Sequence, residues 1–212
     1  NEQGTRLEFA NSGDFSKDND PGLVTSADHL KCPMADKDEG KDLNFLLDGD
    51  ANTFFHSTWH GGEDAWKGNH FLQLEAPQQE LLLKCVKRVH DNANGGAPAK
   101  VTLWGTKSDE ALDKGKENKT NDAGEEVMDY DAWKKQGWDS LAVSTFNYPY
   151  AIKVGEATKN NYAGVAYFKV PAGYKNFRLE VVSRANGAGA DGNGNRFFYG
   201  SEFRVSKGAY AE

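Results

Sequence analysis

The 212-residue chain contains only two cysteines and two methionines, and it has no long hydrophobic run. Its most apolar window, Leu81 to Val86, is far shorter than the roughly 20 residues that a membrane-spanning helix requires. Cys32 and Cys85 lack the CxxC or Cys/His spacing of a zinc or redox site, so they form either one disulfide or two buried thiols. We therefore expect no membrane insertion and no cysteine-based metal centre.

Positive charge is also in short supply. The chain has 25 Lys and Arg residues against 32 Asp and Glu residues, which gives a net charge of −7 and an isoelectric point near 5.3. Such a balance disfavours nucleic acid and anionic membranes as partners. The chain starts at Asn1 without a charged and apolar leader, so we expect any signal segment to have been removed.

Alternation of apolar and polar residues, together with 23 glycines and 12% aromatic residues, predicts an all-β fold. Because no helical pattern separates the six alternating segments, we expect a single antiparallel β-sandwich domain over residues 1–212. The predicted strands are 69–75, 80–88, 99–106, 164–170, 175–183 and 196–205.

Two regions fall outside this pattern. Residues 1–30 have few apolar side chains and are interpreted as an N-terminal extension with an edge strand. Residues 107–161 are interpreted as a long insertion that packs an aromatic lid, with Trp133 and Trp138, onto the core. Within it a short helix is expected around Asp131 to Gln136, ended by Gly137.

The segment Leu46 to Trp59 is the most informative part of the sequence. Two carboxylates, Asp48 and Asp50, flank Gly49, and the hydroxyl of Thr53 follows three residues later. A tight turn of this kind can direct several oxygen atoms at a hard cation such as Ca²⁺. The same residues also make an ordinary turn, because Asp and Gly tolerate the backbone angles that it requires.

The runs LLDGDANTFFHSTW, HFLQLEAP, NFRLEVVS and FFYGSEFRV together resemble coagulation factor 5/8 type C (discoidin-like) domains, and most of all their bacterial galactose-binding-like carbohydrate-binding modules. The resemblance covers roughly residues 36–106 and 163–205. It implies an eight-stranded sandwich of jelly-roll type with a structural Ca²⁺. The chain departs from the family in three places: Phe55 stands where Trp is usual, the cysteines do not join the termini, and residues 107–161 are unusually long.

The resemblance implies two sets of site residues. The calcium ligands would be the carbonyl of Phe45, the side chain of Asp48, the carbonyl of Asp50, both oxygens of Thr53, and Glu202. The alternative for Glu202 is a surface charge on an edge strand. The carbohydrate site would consist of Glu39, His56, Trp59, Arg88, Asn94 and Phe198.

This choice of residues suits a sugar, because hydroxyl groups pair with charged groups and apolar C–H faces pack on aromatic rings. The ring could come from Trp59 or Trp66, or from Phe197, Phe198 or Tyr199, of which one should be exposed. Alternatively Trp59 belongs to the core, and His56 is a half-buried structural histidine.

The sequence therefore predicts a non-catalytic carbohydrate-binding module, galactose-like ligands being favoured, in a secreted, periplasmic or cell-surface protein of a bacterium. Neighbouring domains of a larger protein are further expected partners. The alternative is an adhesion or protein-interaction module that uses the aromatic residues between Tyr130 and Tyr150. An enzyme is disfavoured, because no catalytic motif occurs and no pattern pairs Glu39, Glu63, Asp64 or Asp91.

Overall fold

The computed structural model describes residues 24, 26–50, 52–59, 66, 68–76, 80–88, 95–152, 161–185 and 197–207. Within these ranges the secondary structure is almost entirely antiparallel β-sheet. The strands are β1 Leu30–Lys31, β2 Phe55–His56, β3 Phe71–Glu75, β4 Glu80–Val86, β5 Lys100–Thr106, β6 Asn118–Thr120, β7 Glu126–Met128, β8 Asp139–Thr145, β9 Asn147–Ile152, β10 Asn161–Lys169, β11 Asn176–Val181, β12 Tyr199–Gly200 and β13 Glu202–Lys207. Helix α1 is Tyr130–Lys135, and 3₁₀ turns span Ala27–His29, Leu43–Leu46 and Asp109–Ala111.

The strands form two main sheets and two short ribbons. The five-stranded sheet has the order β1-β3-β11-β5-β8, and the four-stranded sheet has the order β13-β4-β10-β9. The ribbons pair β2 with β12 and β6 with β7. Neighbours in the sheets are mostly distant in sequence, as in a β-sandwich with crossing connections. The predicted fold class is confirmed.

The core lies between the two main sheets. Alternate residues of each strand point inward, so Leu81, Leu83 and Cys85 of β4 face Leu72 and Leu74 of β3 across one apolar cluster. Further strands of both sheets add to the cluster Val101, Leu103, Ala166, Phe168, Phe177, Leu179, Phe203 and Val205. Burial of these side chains supplies the main driving force for folding.

Residues 107–138 cover the outer face of the five-stranded sheet. Trp133 of α1 and Trp138 are fully buried there, next to Phe71 and Trp104. The Arg178 guanidinium lies 3.9 Å from the Trp138 ring, 4.6 Å from the Phe71 ring and 4.7 Å from the Trp133 ring. Its nitrogens donate to the carbonyls of residues 112, 114 and 115. Arg178 thus fastens this segment to the sheet, and its burial lowers its pKa to about 9.

The sequence interpretation of residues 107–161 needs one correction. Strand β8 extends the five-stranded sheet beside β5, and β9 extends the four-stranded sheet beside β10. Residues 139–152 are therefore part of the sandwich itself. The predicted aromatic lid does occur, but it consists of residues 107–138 and lies on the outer face of the sheet. The helix begins one residue earlier than expected and ends just before Gln136, with Gly137 at a φ of 101°.

The structure also bears on the predictions for the strands, the cysteines and membrane insertion. The predicted strands are present, except that the last one is divided into β12 and β13 at Ser201. Both cysteines are free thiols, and burial raises the pKa of each to about 12. Among the described residues, no helix is long and apolar enough to cross a bilayer. Residues 1–23, in the predicted N-terminal extension, lie outside the described part of the chain.

Candidate functional site

The loop between β1 and the Leu43–Leu46 turn is held by the side chain of Asp36. This carboxylate is almost fully buried, and its Oδ1 accepts hydrogen bonds from the backbone amides of Asp38 and Glu39, both at 2.9 Å. Its Oδ2 accepts from the backbone amide of Trp59 at 3.3 Å. Asp36 therefore joins two stretches of chain that each carry a predicted sugar-binding residue.

His56 is fixed at the edge of the sandwich by backbone bonds on both sides. Its amide donates to the carbonyl of Gly40 at 2.8 Å, and its carbonyl accepts from the amide of Asp36 at 3.0 Å. Gly40 has a φ of +62°, and a Cβ there would lie 2.9 Å from the His56 nitrogen and from the Phe54 ring. Only glycine fits this position without displacing His56.

Glu39 connects Arg88 to Trp59. Its Oε1 accepts from the Arg88 guanidinium at 3.1 Å, and its Oε2 accepts from the indole Nε1–H of Trp59, also at 3.1 Å. The guanidinium carbon of Arg88 also lies over the Phe54 ring, 3.3 Å from its centroid, in a cation–π contact. The three side chains form one hydrogen-bonded group, which we call the Glu39 triad.

The Glu39 triad borders a cluster of aromatic rings. The His56 ring centroid lies 5.1 Å from those of Phe197 and Tyr199, and 6.2 Å from that of Trp59. Trp59 is 40% exposed and is one of three large hydrophobic side chains that are exposed in the described part of the chain. Exposure of an aromatic ring beside buried polar groups is typical of a ligand-binding surface.

The His56 side chain is only 4% exposed, and this burial lowers its pKa from the ordinary value of 6.5. The ring is therefore neutral at pH 7. Its Nδ1 lies 2.5 Å from the carbonyl of Ser57, which can only accept, so Nδ1 carries the proton. In this tautomer Nε2 is a hydrogen-bond acceptor.

The structure brings together four of the six predicted carbohydrate-binding residues: Glu39, His56, Trp59 and Arg88. The assignment of Phe198 is wrong, because its ring is 5% exposed and packs against Phe55 in the core. Its neighbour Phe197 is half-buried and faces His56 instead. Asn94 lies outside the described residues.

The exposure of each ring distinguishes the aromatic residues that could pack against a sugar. Trp66 is half-buried and donates its indole N–H to the carbonyl of Asn69 at 3.0 Å, with its ring edge-on to Phe71. Tyr199 is buried, and its ring leaves no room for a Cβ at Gly96. Among the tryptophans, therefore, Trp59 is the exposed ring at this site.

The predicted calcium loop folds around Asp48. The Thr53 hydroxyl donates to Asp48 Oδ2 at 2.6 Å and also lies 3.1 Å from the Asp50 carbonyl oxygen. The side chain of Asp50 turns away to the amide of Asn52. Phe45 lies in the adjacent Leu43–Leu46 turn. The Thr53 hydroxyl is thus within hydrogen-bonding distance of two other predicted ligand oxygens.

Glu202 reaches this loop from β13. It is fully buried, and its Oε1 accepts from the amide of Gly49 at 2.8 Å, while Oε2 lies 2.7 Å from the Arg204 guanidinium. Burial, with Asp48 close by, raises the pKa of Glu202 to about 9, although Arg204 opposes the shift. The alternative of a surface charge for Glu202 is therefore wrong.

These oxygens fit Ca²⁺ in kind, since carboxylate, carbonyl and hydroxyl oxygens are its preferred ligands. Within the described ranges, no group of three His, Cys, Asp or Glu side chains is arranged to hold a metal ion. Any cation here would depend on backbone and hydroxyl oxygens in addition to Asp48 and Glu202. In the same place Arg204 donates to the carbonyls of Leu46 and Leu47, at 2.8 and 3.3 Å.

Sequence reasoning missed several residues that support the site. No sequence pattern indicates a role for Asp36, Phe54 or Arg204. Phe54 contacts a side chain that is remote in sequence, and Asp36 and Arg204 bond to backbone groups. The role of Gly40 could have been predicted, because a glycine in a loop often adopts a left-handed backbone angle, as Gly40 does.

Comparison with solved structures gives distant matches. One is the family 32 carbohydrate-binding module of Clostridium perfringens NanJ in complex with galactose, which is 14% identical with a TM-score of 0.45 over 83% of this chain and 90% of that one. A second, from a Clostridium perfringens family 31 glycoside hydrolase, is 12% identical with a TM-score of 0.45 over 87% and 95%.

A third match is the lectin domain of lectinolysin complexed with Lewis B antigen, which is 12% identical with a TM-score of 0.42 over 85% of this chain and 92% of that one. No protein-family model and no curated protein matches the sequence. By name, the first two of these matches are carbohydrate-binding modules and the third is a lectin domain. At such identities and TM-scores, they do not identify a ligand for this chain.

Proposed function

We propose that this domain is a non-catalytic carbohydrate-binding module that binds a glycan terminus, with galactose-like sugars favoured. The observation that carries the proposal is the Glu39 triad, in which one carboxylate holds both the exposed ring of Trp59 and the guanidinium of Arg88. An exposed ring and a charged hydrogen-bonding group, fixed side by side, match the two chemical faces of a sugar.

Each member of the site has a distinct part in binding. Trp59 packs against the C–H face of the sugar, which its 40% exposure allows. Arg88 donates to ring hydroxyls, and the exposed part of Glu39 accepts from them. The Nε2 atom of neutral His56 accepts from one further hydroxyl. The favoured galactose-like ligand rests on the sequence motifs, which resemble those of galactose-binding modules.

The hydrogen bonds of the carboxylates favour binding over hydrolysis. Glycoside hydrolysis needs a protonated acid and a second carboxylate across a cleft. Here both oxygens of Glu39 accept from Arg88 and Trp59, and both oxygens of Asp36 accept from backbone amides. Carboxylates whose oxygens are engaged in this way serve to shape a surface.

The proposal includes a structural Ca²⁺ held by Asp48, Glu202, Thr53 and the carbonyls of Asp50 and Phe45. When bound, the ion would supply positive charge between the exposed carboxylate of Asp48 and the buried carboxylate of Glu202. Gly49 and Glu202, which are 153 residues apart, already touch through a hydrogen bond. The ion would therefore join the first loop of the sandwich to its last strand, and its effect would be on stability.

The burial of Trp133 and Trp138 removes the main support for an adhesion surface between residues 130 and 150, because those rings are not accessible to a partner. A glycan ligand is consistent with a secreted or cell-surface protein, attached to other domains that act on the same glycan.

A glycan array followed by calorimetry tests the proposal. We expect the wild-type domain to bind galactose- or N-acetylgalactosamine-terminated probes, in competition with the free monosaccharide, and Arg88→Ala to lose this binding. Lys175→Ala is the matched control: it also removes an ion-paired cation, which contacts Asp109 at 2.9 Å. Strand β10 ends at Lys169, which pairs with Glu80 at the far end of β4 from Arg88, and Lys175 lies in the short connection that follows β10. Equal binding by Arg88→Ala and Lys175→Ala would refute the site.

A further inference from the structure

The Asp36 side chain bonds to both backbone segments that carry the proposed sugar-binding residues Glu39 and Trp59. Through Oδ1 it holds the amides of Asp38 and Glu39, and through Oδ2 it holds the amide of Trp59. Its own amide donates to the carbonyl of His56 at 3.0 Å. Four hydrogen bonds therefore run from this residue to segments that carry three of the proposed ligand-binding side chains.

These bonds matter because Glu39 and Trp59 meet across a gap of 20 residues in sequence. The two segments are paired nearby, through the bridge of Ala35 with Ser57 and the hydrogen bond from the His56 amide to the Gly40 carbonyl, but Glu39 and Trp59 lie outside the strands. A hydrogen bond of 3.1 Å between their side chains requires that the two backbones be held at a set separation. The Asp36 carboxylate extends this pairing to the two residues themselves, because it accepts from the amide of Glu39 and from the amide of Trp59.

Burial of the Asp36 carboxylate strengthens its hydrogen bonds to the backbone amides. Asp36 is 1% exposed, so solvent does not screen its carboxylate and amide donors must compensate its charge. Charge-assisted hydrogen bonds from backbone amides are shorter and stronger than neutral ones. The group is too deep to contact a sugar on the surface, so it acts through Glu39 and Trp59.

We propose that Asp36 is the positioning residue of the carbohydrate site: its buried carboxylate sets the distance between Glu39 and Trp59 and so holds the indole N–H of Trp59 on the Glu39 carboxylate. The proposal rests on the proposed function only for its effect on glycan affinity. Its effect on the Glu39 to Trp59 hydrogen bond is independent of any ligand.

The variant Asp36→Asn tests the hydrogen bonds of the Asp36 carboxylate without changing the size of the side chain. The amide has the size of the carboxylate but offers only one acceptor oxygen, so it can serve the amides of Asp38 and Glu39 or the amide of Trp59, but not both. Asp36→Ser is a second loss variant, since its shorter hydroxyl can accept from the amide of Asp38 or Glu39 but cannot also serve the amide of Trp59. Asp129→Asn is the matched control, because Asp129 accepts from the amide of Ala132 at the start of α1 and lies outside the site.

The first measurement is the two-dimensional NMR spectrum of the five tryptophan indole N–H groups, with that of Trp59 assigned from Trp59→Phe. We expect Asp36→Asn to shift the Trp59 signal toward the position that it takes in Glu39→Ala, and to leave the signals of Trp133 and Trp138 in place. Asp129→Asn should leave the Trp59 signal unchanged. An unmoved Trp59 signal in a folded Asp36→Asn variant would overturn the proposal.

The second measurement is glycan affinity by calorimetry, with the galactose-terminated probe that the array identifies. We expect Kd to rise about tenfold in Asp36→Asn, to rise at least as much in Asp36→Ser, and to stay unchanged in Asp129→Asn. If the wild-type domain binds no glycan but the indole signal moves as expected, the proposed function fails and the positioning role stands. If glycan binds equally well to wild type and Asp36→Asn, the positioning role fails and the proposed function stands.

Discussion

The carboxylate of Glu39 accepts a hydrogen bond from the indole Nε1–H of Trp59 at a distance of 3.1 Å. The same carboxylate forms an ion pair with Arg88, also at 3.1 Å. An indole ring held in this way loses little rotational freedom when a sugar packs on it, so less of the binding energy is spent on ordering the site.

Glu39→Gln should weaken glycan binding about tenfold, because an amide keeps one acceptor for either Arg88 or Trp59 and loses the charge that holds both. Stability should change little, since the Glu39 side chain is 36% exposed and exposed ion pairs contribute little to folding. Calorimetry and thermal melting measure the two effects. Asp109→Asn, which breaks the exposed ion pair with Lys175, is the control and should leave affinity unchanged.

Glycan binding should be constant near pH 7 and should decline at acidic pH. Burial lowers the pKa of His56, so the ring stays neutral at and somewhat below 6.5, and only stronger acid converts Nε2 from an acceptor to a donor. Affinity measured from pH 7.5 to pH 4.5 tests this. An affinity loss centred above pH 6.5 would contradict the assignment, as would an acid loss that persists unchanged in His56→Gln.

The lowered pKa of His56 should also make the free energy of unfolding depend on pH. The folded-state pKa of His56 is below that of the unfolded chain, so below about pH 6.5 the unfolded chain takes up a proton that the folded chain does not. The contribution of His56 to the free energy of unfolding is therefore complete above pH 6.5 and falls as the pH is lowered. Denaturation of wild type and His56→Gln at pH 7.5 and pH 5.5 should show a smaller decline in the variant.

Calcium should stabilise the domain against heat. A ligand that binds only the folded state at a hundred times its Kd adds about 2.7 kcal/mol to the free energy of unfolding, which corresponds to several degrees in Tm. Melting with calcium and with excess chelator measures this difference. Glu202→Gln should abolish it, whereas Asp109→Asn should retain it. An equal Tm with calcium and with chelator, after prolonged incubation, would contradict the proposed ion.

Arg178→Met should destabilise the domain by about 3 kcal/mol and leave glycan affinity intact. The change leaves the carbonyls of residues 112, 114 and 115 without the guanidinium that they share, and it removes the cation from three aromatic rings. Chemical denaturation gives the free energy. An equal loss of stability and of sugar affinity would mean that residues 107–138 contribute to the site.

Much of this architecture could be predicted from the sequence, because strand alternation is a local signal. The predicted segments 80–88 and 99–106 correspond to β4 and β5, whose inward and outward residues follow the period of two. The predicted grouping of Glu39, His56, Trp59 and Arg88 was implied by the resemblance to discoidin-like carbohydrate-binding modules, and strand periodicity gives no information on these loops.

The remaining features depend on long-range contacts that no local pattern encodes. Strands β8 and β9 lie in the region that the sequence interpretation assigned to an insertion, and their membership of the sheets is set by pairing with β5 and β10. Phe198 and Phe197 are neighbours in sequence, and only the fold determines that the first faces the core and the second faces His56. The role of Asp36 is equally invisible, since its partners are backbone amides.

The most direct test of the carbohydrate site is an NMR titration of the domain with galactose and with N-acetylgalactosamine, in which all five tryptophan indole signals are followed. The account predicts that the Trp59 signal moves with sugar concentration, that the signals of buried Trp133 and Trp138 stay in place, and that Arg88→Ala abolishes the movement. Movement confined to other tryptophans, or none at all with a sugar that the array shows to bind, would contradict it.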